Sequence, residues 1–127
     1  MGNLPRISDA EWEVMRVVWG SHPVSAGAVA RRISARREWS TRTVKTLLSR
    51  LVAKGALGFT VDGKRYLYHP AVTREECERD ASRTFLERVF GGNARPALAH
   101  FVEESDLTPD EIDELRRLLD DKEGGGR

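Results

Sequence analysis

Cysteine and histidine are scarce in this sequence. Cys77 is the single cysteine, so no disulfide can form within the chain, and the three histidines stand far apart. No C-x-C or C-x-x-C pair of the kind that binds zinc or copper is present. We therefore expect no metal site and no cofactor.

Long apolar runs and catalytic motifs are also missing. No apolar run approaches the roughly 20 residues that a membrane span needs, and the first residues contain no apolar secretory signal. HExxH, GxSxG and P-loop motifs are absent. These absences predict a cytoplasmic protein that does not insert into membranes and is not an enzyme.

Residues 40 to 70 are the most informative stretch that is present. Ser40 is a typical N-cap, and Gly55 is typical of the position after a helix end. Between them, apolar residues recur at the i, i+3, i+4, i+7 spacing of a helix with one buried face. These residues are Val44, Leu47, Leu48, Leu51 and Val52. The pattern predicts an amphipathic helix.

The opposite face of this helix is polar and basic. Short hydroxyl side chains allow close approach to a DNA groove, while Lys and Arg reach base acceptors or phosphates. The candidate DNA-binding residues of the helix and its cap are Ser40, Thr41, Arg42, Thr43, Lys45, Thr46, Ser49 and Arg50. The alternative is a face that is merely solvated.

A β-hairpin is predicted directly after the helix. Two β-prone runs, Leu57 to Val61 and Arg65 to His69, flank the turn pair Asp62-Gly63. Lys64 and Arg65 are predicted at the tip, where cationic side chains can contact phosphates. They complete the candidate DNA-binding set.

Two more helices are predicted before residue 40. Ser8 and Glu11 have the capping-box spacing at the start of a helix over 8–19, and a second helix over 25–35 follows Pro23. Helix, short helix, polar-faced helix and hairpin is the order of a winged helix-turn-helix. This order favours DNA binding over a solvated face. The predicted fold is mainly α with a small β-hairpin wing.

Charge is divided unequally along the chain. Residues 1–70 carry 12 Lys and Arg against 5 Asp and Glu, a net charge of +7, whereas residues 71–127 carry 9 against 15, a net charge of −6. A basic segment favours a polyanion, and an acidic segment is repelled by the same backbone. The two halves are therefore expected to have different functions.

The acidic half is predicted to form three helices, over 73–90, 94–103 and 108–122. Each has an apolar stripe, with Cys77 on the first as a small buried hydrophobe. Because three short helices bury too little surface alone, we predict that a second copy covers the stripes. The alternative is that the stripes pack back on the winged helix. The predicted dimer-interface residues are Phe85, Leu86, Val89, Phe90, Leu98, Phe101, Val102, Ile112, Leu115, Leu118 and Leu119.

The sequence thus predicts three segments. Residues 1–71 form a winged-helix DNA-binding domain, and residues 72–122 form a helical dimerisation domain. Residues 123–127, which include three consecutive glycines, are predicted to be a disordered tail.

Four segments in order resemble the BlaI/MecI/CopY family of bacterial transcriptional repressors, in particular its penicillinase-repressor branch. They are LPRISDAEWEVMRVVW, STRTVKTLLSRLVAKGAL, GKRYLYHP and HFVEESDLTPDEIDELRRLL, within residues 4 to about 122. The resemblance implies a homodimer that binds a dyad operator of the TACA/TGTA kind in double-stranded DNA and represses β-lactamase or related genes. It also implies that a sensor-linked protease ends repression by cutting the C-terminal region.

The sequence departs from this family at two points. His100-Phe101 stands where the family has its cleaved Asn-Phe bond, and the tail lacks the C-x-C cluster of the copper-responsive branch. Another class of function stays open on the residues alone. A winged helix can serve as a protein-interaction or RNA-binding module, which needs neither two-fold symmetry nor operator specificity.

Overall fold

The structure, a computed structural model, describes residues 4–125. Six helices and three strands follow one another in the described chain. Their order and bounds are α1 (Asp9–Gly20), β1 (Val24–Ser25), α2 (Ala26–Ser34), α3 (Thr41–Ala53), β2 (Leu57–Asp62), β3 (Arg65–Pro70), α4 (Arg74–Phe90), α5 (Ala94–Glu104) and α6 (Pro109–Gly125). The predicted fold of helices with a β-hairpin wing is confirmed.

The helices begin at the hydroxyl residues that the sequence indicates. Ser8 and Glu11 form the predicted capping box of α1, and the hydroxyl of Ser40 accepts a hydrogen bond from the Thr43 N–H at 3.1 Å. Thr73 and Thr108 each exchange bonds with a glutamate three residues later. These bonds satisfy N–H groups that the first turn of a helix leaves without partners.

The three strands form one antiparallel sheet in the order β1-β3-β2. The sequence pattern does not predict β1. It pairs Val24 with Tyr68 and Ser25 with Leu67, and so joins the segment before α2 to the hairpin. A two-residue strand is too short to show an alternating pattern, and its partner strand comes from a distant part of the chain.

The hairpin turn lies one residue later than predicted. Asp62 pairs with Arg65, so Gly63 and Lys64 are the two loop residues. Gly63 has a φ of 65°, which glycine adopts at no steric cost, and glycine at the first loop position is typical of a type II′ turn. The predicted turn pair Asp62-Gly63 is therefore wrong by one residue, and Lys64 stands at the tip.

The core lies among α1, α2, α3 and the sheet. The predicted stripe of α3 is buried there, with Val52 at its edge. It packs with apolar residues of α1 and α2 that recur at helical spacing. The fully buried members are Val14, Met15, Val18, Val29, Ile33, Val44, Leu48, Leu51 and Ala56.

The described residues form two compact units that divide between Ser82 and Arg83, within α4. This division falls further along the chain than the predicted boundary at 71/72. The indole of Trp19 donates a hydrogen bond to the Val72 carbonyl at 3.0 Å, and Cys77 is buried. The first turns of α4 therefore belong to the compact unit that contains the winged helix.

In the second unit, the apolar stripes of α4, α5 and α6 are largely exposed. On α4, Leu86 and Phe90 are half-buried, whereas Phe85 and Val89 are exposed in the single chain. That a second copy covers this stripe stays a prediction. Two glycines with positive φ end α4, and the Gly92 N–H bonds the Leu86 carbonyl.

The last helix is longer than predicted. α6 continues past Lys122 to Gly125, so residues 123–125 are helical and not part of a disordered tail. Extending an existing helix adds a hydrogen bond for each residue fixed, which offsets the weak helix propensity of glycine. Residues 126 and 127 of the predicted tail lie outside the described residues.

Candidate nucleic-acid interface

The outward face of α3 is accessible along its whole length. All eight candidate residues of the helix and its cap are exposed. The buried stripe on the opposite side holds the helix against the core, so the polar face points away from it. The predicted residues of α3 therefore share one surface.

Two of the threonine hydroxyls on this face are engaged within the helix. The Thr46 hydroxyl donates to the Arg42 carbonyl at 3.1 Å, and the Thr43 hydroxyl lies 3.1 Å from that of Ser40. A hydroxyl that donates internally still has lone pairs for an incoming donor. Thr46 is thus placed to accept, rather than to donate, at this surface.

The cations of this face differ from Arg36 and Arg37, which lie just before the helix, in having no carboxylate partner in the part of the chain that the structure describes. Arg42, Lys45 and Arg50 form no ion pair with any residue of 4–125. In contrast, Arg36 and Arg37 both donate to Glu13. Three cations without a carboxylate partner in the described residues therefore share the exposed face of α3, where an approaching polyanion displaces only water and counterions.

The hairpin tip presents one such cation. Lys64 is exposed and has no carboxylate partner among the described residues. Arg65 is also exposed, and its guanidinium lies 3.4 Å from the Asp62 carboxylate across the last strand pair. The two predicted wing residues thus differ in electrostatic environment, because Asp62 offsets part of the charge of Arg65 and no carboxylate of the described residues does so for Lys64.

An aromatic stack supports the wing. The rings of Phe59 and Tyr66 lie 4.2 Å apart and nearly parallel, and Tyr68 contacts both rings edge-on or tilted. Cross-strand aromatic pairs stabilise a hairpin by up to about 1 kcal/mol. The sequence prediction does not include this stack, although its signal is present as alternating aromatics on one predicted strand and a single aromatic on the other.

Two exposed arginines were also missed. Arg31 and Arg32 lie in the last turn of α2 and add positive charge to the unit. Cations in the last turn of a helix also interact favourably with its dipole, so a binding role is not needed to explain them.

The candidate cleavage bond lies inside a helix. His100 and Phe101 are both exposed residues of α5, and the His100 ring lies 6.0 Å from that of Phe90. Phe101 stacks with Phe85 of α4 at 6.2 Å. Because the bond is helical, cutting it requires the local backbone to leave the helix first.

Other chemistry finds no support in the described residues. Within residues 4–125, no group of three or more His, Cys, Asp or Glu is arranged to hold a metal ion. Burial raises the pKa of the Cys77 thiol, which keeps it protonated and unreactive at neutral pH. None of the helices in this part of the chain is long and apolar enough to cross a membrane.

Together, the exposed cationic face of a packed third helix and a hairpin with a basic tip define a winged-helix DNA-binding protein. The family model of the penicillinase repressor matches residues 7–121. The chain belongs to this family, which places it among DNA-binding transcriptional repressors and not among enzymes.

Two relatives match over more than nine-tenths of the chain, and a solved structure matches over part of it. The methicillin resistance regulatory protein MecI of Mammaliicoccus sciuri is 37% identical over 91% of this chain and 94% of its own length. The penicillinase repressor of Bacillus licheniformis is 34% identical over 95% of this chain and 94% of its own length. A solution structure of monomeric Bacillus licheniformis BlaI in complex with the blaP half-operator is 37% identical, with a TM-score of 0.52 over 60% of this chain and 93% of that one.

Proposed function

We propose that this protein is a homodimeric repressor that binds a palindromic operator in duplex DNA through α3 and the wing. The observation that carries the proposal is the set of cations on α3 that lack carboxylate partners in the described chain. Each protomer then inserts α3 into one major groove, and the dyad of the operator matches the dyad of the dimer. The relative whose monomeric form was solved with a half-operator supports DNA binding by the winged helix.

Within the interface, the position of each residue along α3 and the wing indicates a division of roles. Arg42, Lys45 and Thr46 lie in the first turns of α3, the part that usually reaches base edges. Ser40, Thr41 and Thr43 surround the helix start, where N–H groups and hydroxyls bind phosphate. Ser49, Arg50, Lys64 and Arg65 flank these residues and are assigned to the DNA backbone.

Dimerisation is assigned to the second compact unit. Six large apolar residues of α4 to α6 expose half or more of their surface, and Leu118 and Leu119 reach 63% and 62%. Neighbouring exposed apolar side chains on three helices are costly in water, and a second copy of the same surface can cover them. The members above half exposure are Val89, Leu98, Phe101, Val102, Leu118 and Leu119.

Proteolysis at His100-Phe101 is the proposed means of relief. A cut there separates α6 and the end of α5 from the DNA-binding half, and the two winged helices lose their tether. A tethered pair can bind a double site about a hundredfold more tightly than separate halves, so repression ends without any change at α3. The protease must accept His in place of Asn before the bond.

The named relatives point to the regulon. They are a methicillin resistance regulator and a penicillinase repressor. We assign this protein to control of β-lactam resistance genes, in the cytoplasm, where operator DNA is accessible.

The test is selection of duplexes from a random-sequence pool by the full-length protein, followed by sedimentation of the complex. A two-fold symmetric enriched site bound by two chains supports the proposal. An enriched site without symmetry, bound by one chain, rejects the dimer. No enrichment rejects operator binding and favours a protein-interaction or RNA-binding module.

A further inference from the structure

Two carboxylates of α1 are buried, which is unusual for glutamate. Glu11 is 2% exposed and Glu13 is 8% exposed. A charge removed from water is unfavourable unless hydrogen bonds and an opposite charge compensate. Each carboxylate has such partners. Arg16 and Ser8 belong to α1 and its cap, whereas the others lie near opposite ends of α3.

Glu13 is connected to the segment just before α3. Its two oxygens accept hydrogen bonds from Arg36 at 3.0 Å and Arg37 at 2.9 Å. The Arg37 guanidinium also lies 5.9 Å from the centre of the Trp39 ring, and Trp39 packs against the core. The next residue is Ser40, the N-cap of α3. Glu13 therefore fixes the position of the segment that leads into the start of α3.

Glu11 is connected to the other end. Lys54 is the C-cap residue of α3, and its ammonium donates to the Glu11 carboxylate and to the Arg6 carbonyl. The same carboxylate accepts the Ser8 N–H of the α1 capping box at 2.9 Å. The start of α1 and the end of α3 are thus joined through one buried group.

We propose that Glu11 and Glu13 are positioning residues, which fix the two ends of α3 from α1 and so set the orientation in which its side chains meet the operator. The proposal rests on the proposed function of α3 in DNA binding.

The two carboxylates are expected to fix geometry more than they add stability. Well-packed apolar residues often stabilise a core as well as a buried ion pair does, whereas charged hydrogen bonds also fix direction and distance. Base contacts need side chains within about 0.5 Å of the productive position. Contacts to phosphates through long flexible cations are less sensitive. Loss of positioning is therefore expected to reduce specific binding more than non-specific binding.

The experiment uses Glu11→Gln and Glu13→Gln in the full-length chain. The probes are the duplex that the wild-type protein enriches most and a random duplex of equal length. If the correctly placed helix end is populated only about one time in ten in a variant, its Kd for the enriched duplex rises about tenfold. Its Kd for the random duplex is expected to stay within about twofold, on the same argument.

Hydrogen exchange measured by mass spectrometry distinguishes loosening of one end of α3 from a general loss of stability, which would speed exchange throughout the unit. Glu13→Gln is expected to speed exchange at 36–44 and Glu11→Gln at 50–56, with the amides of α2 unchanged. Arg37→Ala is a milder companion variant, because Arg36 still pairs with Glu13. It should reproduce the Glu13→Gln pattern even if that variant folds poorly.

Two control variants separate positioning from other effects. Glu75→Gln removes an exposed carboxylate that pairs with Arg79 on α4. Val18→Ala shortens a fully buried apolar side chain of α1 and changes no charge. Both are expected to keep the ratio of the two Kd values. The proposal is overturned if Glu11→Gln, Glu13→Gln and Arg37→Ala all leave the ratio of the random-duplex Kd to the enriched-duplex Kd unchanged. It is also overturned if Val18→Ala, compared at matched stability, lowers that ratio as much as they do. If the wild-type chain enriches no duplex, the proposed function fails, while exchange alone still decides whether the carboxylates fix the helix ends.

Discussion

The ring of His69 occupies the space beside Gly58 on the neighbouring strand. The two residues are directly paired, and a Cβ at position 58 would lie 2.7 Å from Cε1 of the His69 ring. That distance is shorter than any normal contact, so a larger residue at position 58 must displace the ring. The base of the wing is thus built on a glycine and an imidazole that fit together.

Gly58→Ala is therefore expected to destabilise the protein by about 1 kcal/mol, in the lower part of the range for overpacking, because a histidine ring can partly move away. Denaturant unfolding measures the loss. Adding His69→Ala to Gly58→Ala should remove most of the penalty, since the clash then disappears. Strictly additive effects of the two substitutions would contradict the proposed clash.

Lys45→Ala should weaken binding to the enriched operator more than to random DNA. Lys45 is an exposed cation in the first turns of α3 without a carboxylate partner in the described residues, and a good base contact contributes about 1 to 3 kcal/mol of discrimination. Titration of both duplexes measures the difference. Arg79→Ala, which removes an exposed cation from α4, is the matched control. Equal losses on both duplexes would reassign Lys45 to the DNA backbone.

Lys64→Ala should weaken binding to all duplexes similarly. If the wing tip contacts one phosphate, the slope of log K against log salt becomes shallower by about 0.9. Arg65→Ala should have the smaller effect, because Asp62 already lies 3.4 Å from that guanidinium. Affinities at four salt concentrations test both variants. A slope that Lys64→Ala leaves unchanged would place the tip away from DNA.

Leu118→Arg should convert the protein to a monomer and weaken operator binding. Leu118 is 63% exposed on α6, and a buried unpaired charge at a dimer interface is strongly unfavourable. Asp120→Arg introduces the same side chain on the opposite side of the helix and should leave the dimer intact. Sedimentation velocity distinguishes the two states. A dimeric Leu118→Arg variant would show that the interface lies elsewhere.

Acid should destabilise the winged-helix unit through Glu11 and Glu13. Burial raises the pKa of Glu11, but the hydrogen bonds from Lys54 and Ser8 outweigh this and lower it below its ordinary value. The hydrogen bond from Arg37 lowers the pKa of Glu13 despite its burial. Each carboxylate thus contributes stability that is complete above the ordinary pKa of about 4.5 and is lost as pH falls through the folded value.

Urea unfolding between pH 7 and pH 3 measures this loss. The double variant Glu11→Gln with Glu13→Gln should show a shallower fall of unfolding free energy with acid than the wild type, since it lacks the two titrating groups. An identical pH profile in the two proteins would mean that other carboxylates dominate.

Local chemistry made much of this protein predictable from its sequence. The Ser40 cap, the apolar stripe of α3 and the glycine after its end depend on neighbours within two turns, so they indicated the recognition helix and its exposed polar face directly. The capping boxes at Thr73 and Thr108 depend on the same short-range chemistry, and the helices predicted to start at 73 and 108 begin beside them. The four ordered segments were also enough to indicate the family.

Only the tertiary structure decided the relationships that span long distances in the chain. The pairing of Val24 with Tyr68, the partners of Glu11 and Glu13 and the loop position of Lys64 depend on which elements meet and in what register. The exposure of the α4 to α6 stripes is of the same kind. Periodicity identifies an apolar face, but whether the same chain covers that face depends on how the elements pack, because hydrophobic burial has no direction of its own.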